Sequence, residues 1–101
     1  MSQETAPAAG LYKYVFHPSV PMGQVSNALF LSALAAEAIH GRAQVQLDGR
    51  FWADPRESSA FIDPSSEVGQ TIARVFTQLI TRELGEAAFT VARVTGPRGA
   101  E

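Results

Sequence analysis

Residues 43–64, AQVQLDGRFWADPRESSAFIDP, sit between two stretches of helical periodicity, and the fold turns on how they are read. From Ala43 to Ala53 apolar and polar residues alternate. Ala43, Val45, Leu47, Phe51 and Ala53 share one side, and Gln44, Gln46, Asp48, Arg50 and Trp52 the other. A period of two predicts a half-buried strand. Asp54-Pro55-Arg56-Glu57 supplies turn chemistry and Ser58–Ile62 reads as a shorter strand, so the pair predicts a hairpin. Asp63-Pro64 then opens a helix, with a carboxylate placed to accept unpaired N–H groups and proline in the first turn.

Working outward, Leu11–His17 (LYKYVFH) is rich in aromatic and β-branched residues and stops at Pro18, which predicts a first strand. Either of its faces could point inward: Tyr12, Tyr14 and Phe16, or Leu11, Lys13, Val15 and His17. A helix is expected over Met22–His40, closed by Gly41, and a second from Asp63-Pro64 to Leu84, closed by Gly85. In the second, Val68, Ile72, Val75, Phe76, Leu79, Ile80 and Leu84 form one stripe, opposite Gln70, Arg74, Thr77, Gln78, Thr81 and Arg82. Ala88–Val94 completes the order β-α-β-β-α-β. The expected fold is α+β: a four-stranded antiparallel sheet with two helices on one face, in the split βαβ or ferredoxin-like arrangement. That likeness is one of architecture alone, and the arrangement hosts many unrelated functions.

The chain has 101 residues, 46% hydrophobic and 18% charged, with a net charge of -2. This size predicts a single domain, over residues 11–95, and the small, polar, proline-containing stretches 1–10 and 96–101 read as flexible tails. Residues 1–10 lack a basic start and an apolar run, so neither a signal peptide nor a membrane span is expected there. The acidic balance and scattered Lys and Arg argue against nucleic acid and anionic lipid as partners. With no cysteine, disulfides, thiolate chemistry and Cys-ligated zinc are excluded, which fits a reducing, cytoplasmic setting. Three aromatics on an open sheet face, with Phe61, would resemble a base-stacking surface, but the Lys/Arg-Gly-Phe run of such RNA-binding modules is missing.

The first helix, by contrast, is apolar nearly all round: Ala28, Leu29, Phe30, Leu31, Ala33, Leu34, Ala35, Ala36, Ala38 and Ile39 are broken only by Ser32 and Glu37. One sheet covers a third to a half of a helix circumference, so Phe30, Leu31 and Leu34 cannot all reach the same core. They are the expected interface of a homo-oligomer or a protein partner. A non-enzymatic interaction or assembly module that uses this helix, the open sheet face, or both is therefore the leading functional expectation.

The alternative is a small-ligand-binding or enzymatic domain with a pocket near the open sheet face. Its residues would be His17 at a strand end, Asp48 and Arg50 flanking Gly49, and Trp52. Asp is disfavoured in mid-strand, so Asp48-Gly49 suggests a bulge facing a ligand, or else a tight hairpin dividing the strand. Asp54 and Asp63 have local purposes in a turn and a cap, and His40 suits a helix C-terminus. A lone Gly23 is not a phosphate loop. No metal-ligand spacing, Ser-His-Asp set or nucleophile elbow is present, so no catalytic residue, metal or cofactor is assigned.

Overall fold

A computed structural model describes residues 10–95, so of the tails expected at 1–10 and 96–101 only Gly10 lies within the described residues, and it opens the first strand. The elements run β1 (Gly10–Phe16), α1 (Met22–His40), α2 (Arg42–Asp48), β2 (Phe51–Asp54), β3 (Ser59–Ile62), α3 (Glu67–Leu84) and β4 (Phe89–Thr95). Short 3-10 turns at Pro55–Glu57 and Glu86–Ala88 precede β3 and β4. The sheet has the order β2-β3-β1-β4, and every neighbouring pair is antiparallel. The fold is α+β.

Three helices stand where two were expected, because residues 42–48 are helical. The long strand from Ala43 to Ala53 shrinks to the four residues of β2. The run RAQVQLD is rich in good helix formers, and its alternation also fits a short helix that buries a single residue, Val45. Gln44 donates its side-chain amide to Asp48 one turn on, an i,i+4 pair that a strand would place on one face without joining. Gly41 permits the junction. At φ +91° it ends α1, its N–H bonding the Glu37 carbonyl, while its own carbonyl accepts from Val45 to begin α2. Asp48-Gly49 is thus a helix end and neither a bulge nor a hairpin, with the Gly49 N–H on the Val45 carbonyl at 2.8 Å.

The hairpin turn forms as its residues suggest. Asp54 accepts the Arg56 N–H, and Ser58, at φ 50°, turns the chain into β3. Asp63 caps a turn rather than the helix, accepting from Ser65, and α3 is capped three residues later by Ser66, which accepts from the Gly69 N–H at 3.0 Å. That close entry requires glycine at 69, since a Cβ there would lie 1.9 Å from the Asp63 carbonyl oxygen.

Tyr12, Tyr14 and Phe16 of β1 face the helices, in register with Ile62 and Ala60 of β3 and with Arg93, Val91 and Phe89 of β4. The core lies between this face and the inward stripes of α1 and α3. Phe76 meets the Tyr14 ring edge-on at 4.8 Å, and Val25, Val68, Ile72 and Ile80 close around them. Lys13 and Val15 therefore occupy the opposite, helix-free face beside Phe61 and Trp52.

Candidate functional site

The first surface of interest is the outward side of α1. Its buried residues, Val25, Ala28, Leu29, Ser32 and Ala36, are mostly small and let the helix pack closely against α3, and Ser32 satisfies its hydroxyl on the Ala28 carbonyl at 2.7 Å. At about 100° per residue, Leu34 points about 180° away from the mean direction of that set, with Phe30 about 140° and Leu31 about 120° away. Their exposures follow: 62% for Phe30, 51% for Leu31 and 44% for Leu34. Leu31 also lines a groove of about 240 Å³ between α1 and α3, whose far wall carries Leu79 and Leu84. The apolar strip thus continues from the crest of α1 into this groove.

A second surface arises from how the helix layer sits on the sheet. α1 packs on β2 and α3 on β3, so the helix-side face of β4 stays partly open: Val91 is 43% exposed and Arg93 is exposed as well. Between β4 and the polar side of α3 runs a groove of about 1080 Å³. Arg93 and Arg74 reach it from the strand and the helix, with Gln70, Gln78 and Thr77 beside them. The Arg93 guanidinium lies over the Tyr12 ring, 5.0 Å from its centroid. Gly10 makes room for it, because a Cβ there would come within 2.7 Å of Nη2. At the base of the groove the Tyr14 hydroxyl and Thr77 Oγ1 share a hydrogen bond of 2.7 Å, and burial holds the phenol above its ordinary value of 10.0. Tyr14 is a neutral group throughout the physiological range.

The four residues expected to form a ligand pocket are not gathered into one. β2 runs in the same direction as β1, so Arg50, just before β2, lies toward the start of β1, whereas His17 follows its end. A seven-residue strand separates them, about 20 Å at about 3.3 Å per residue. His17 is exposed and bonded within its own turn, its Nδ1 accepting from the Ser19 backbone N–H at 3.1 Å and pairing with the Ser19 hydroxyl at 2.9 Å. Among the described residues no carboxylate orients it. Asp48 is held by Gln44, and its carbonyl accepts from the Ser66 hydroxyl, while the Arg50 carbonyl accepts from the Asp63 N–H.

Trp52 lies on the open sheet face, stacked on Phe61 with centroids 4.9 Å apart. Lys13 sits 5.7 Å above the Phe61 ring, so the register brings Trp52, Phe61 and Lys13 into one cross-strand row. His40 joins α1 to α3 through Thr71 at 2.8 Å. Among the described residues no cluster of three or more His, Asp or Glu side chains could hold a metal ion, and no helix is long and apolar enough to cross a membrane.

No family model, curated protein or solved structure matches this chain. Its two surfaces are what bears on function, and only the first was visible as a site in the sequence. The groove does leave one trace there. Between Glu67 and Glu83, α3 carries no acidic residue, so its polar side is built of Gln, Thr and Arg rather than the mixed charges of an ordinary solvated face.

Proposed function

We propose that this chain is a non-enzymatic assembly module that self-associates through the outward side of α1. The observation carrying this reading is the contiguous exposure of Phe30, Leu31 and Leu34 on the side opposite the core. Contiguous apolar surface of this kind is rare on soluble monomers and common at interfaces between copies. The strand order β2-β3-β1-β4 supports classing the module as a ferredoxin-like split βαβ domain with one added helix, α2. A cysteine-free composition supports work in a reducing compartment such as the cytoplasm.

A two-fold arrangement in which α1 lies against its copy is the simplest closed assembly that covers the strip. Sedimentation equilibrium of the purified chain tests it directly. Mass at twice that of the monomer, falling on dilution, is the expected result. A chain that stays monomeric to high micromolar concentration would overturn the reading.

A further inference from the structure

The groove between α3 and β4 has no part in that assembly, since none of its lining residues belongs to α1. Its chemistry is the reverse of the chain's. The protein carries a net charge of -2, yet among the described residues the groove is lined by two arginines and by no carboxylate. Arg74 comes from α3 and Arg93 from β4, so folding, and not local sequence, brings the two cations to one opening.

Arg93 is positioned rather than trailing in solvent. Its guanidinium rests on the Tyr12 ring and passes over Gly10, which fixes the plane while leaving N–H edges free to donate. A planar fork held in this way matches the paired oxygens of a carboxylate or phosphate, where bonds are stronger than those between neutral groups. Gln78 adds a neutral donor along the helix wall, while the Gln70 side-chain amide is held by the Pro64 carbonyl at 3.2 Å. The volume, about 1080 Å³, is at the upper end of small-molecule sites and far exceeds what an inorganic anion fills. Tyr14, Ala73 and Val91 give the groove an apolar part for the remainder of a ligand.

We infer that this groove binds a small organic oxyanion, a phosphate or carboxylate attached to an apolar body, with Arg74 and Arg93 holding the charged group. The ligand's apolar body lies against Val91 and its head group meets the two guanidinium groups. Binding here leaves the outward side of α1 free.

The test is a backbone-amide NMR titration of the full chain with three probes of similar size: phenyl phosphate, phenylacetate and neutral benzyl alcohol. The expected result is saturable shifts confined to residues 74–78 and 91–93 with one or both anions, and none with benzyl alcohol. Preference for phenyl phosphate marks the natural ligand as an organic phosphate, and preference for phenylacetate as an organic carboxylate. Arg74→Gln and Arg93→Gln should each weaken binding by about tenfold or more, as loss of a charged hydrogen bond requires. Added salt should weaken it in the parent chain. Arg74 is exposed, so the R74Q variant keeps the test valid should R93Q, which also loses the Tyr12 contact, disturb the strand. Absence of saturable shifts, equal binding of benzyl alcohol, or undiminished affinity in both variants would each overturn the proposal.

Discussion

Replacing Leu34 by glutamate is the sharpest perturbation of the assembly surface. Leu34 stands at the crest of α1, so in a two-fold packing of α1 against its copy both substitutions fall at the centre of the interface. Complete burial of a leucine stabilises by about 1.5–3 kcal/mol, and a side chain already half covered retains about 1 kcal/mol of that to gain. Losing it on both protomers costs about 2 kcal/mol. Each carboxylate must also be desolvated against apolar surface without a partner, which costs more than the about 1–3 kcal/mol of a neutral polar group. The sum is at least about 4 kcal/mol, so the dimer dissociation constant should rise by about a thousandfold.

The folded monomer should hardly notice, because glutamate is a good helix former and the site is 44% exposed. Sedimentation equilibrium measures the dissociation constant, and far-UV circular dichroism with a thermal melt checks the fold. Leu34→Ala, which loses burial without adding charge, should weaken association by about thirtyfold, and Lys13→Glu on the open sheet face should leave it unchanged. If Leu34→Glu associated as tightly as the parent chain while Lys13→Glu dissociated it, the interface would be the sheet and the reasoning about α1 would fall.

Other consequences can be checked one by one. Tyr14→Phe removes the bond to Thr77 and should cost about 1 kcal/mol at neutral pH. Because burial raises the folded phenol above 10.0, the parent should lose stability as pH climbs past that value, where the unfolded tyrosine ionises first. Urea titrations from pH 7 to 11 should show a shallower alkaline decline in the Phe variant, and equal slopes would refute the assignment to Tyr14. Gly69→Ala places a methyl against the Asp63 carbonyl and should destabilise by about 3 kcal/mol or more, seen as a large drop in urea midpoint. Ser66→Ala removes the helix cap and its reach to the Asp48 carbonyl, for a loss of about 1 kcal/mol in the same assay.

Much of the fold could be read from residues because several local signals agreed. Met22–His40 ends at a glycine that the structure places at φ +91°, and Gly85, at φ +88°, closes α3 in the same way. Residues 43–48 misled because a run this short satisfies two periods at once. Its one buried residue, Val45, fits strand or helix equally, and Leu47, assigned inward by alternation, is 69% exposed. At Asp63-Pro64 the capping signal was real but served the turn, and Ser66 supplied the second cap in tandem.

The two candidate sites differ in legibility for a physical reason. The strip on α1 is a property of one helix: a 3.6-residue period that fails to separate polar from apolar sides leaves surplus wherever the core lies. The groove is a property of placement, created by where α3 settles over the sheet and by the exposure of β4 that follows. No local pattern records a helix offset, and the pocket expected around His17, Asp48, Arg50 and Trp52 assumed a strand beginning at Ala43 that the chain does not form.

Because α3 divides the two surfaces, they need not compete. Its Leu79 and Leu84 side joins the apolar groove with α1, while Arg74, Thr77 and Gln78 look toward β4. A protomer can therefore bury the crest of α1 against its copy and keep the arginine groove open to solvent. It follows that anion binding measured on the dimer and on the Leu34→Glu monomer should agree, since no group in the groove changes partner on association. A large difference between them would mean that α3 itself shifts when α1 is covered, and would tie the two sites through that helix.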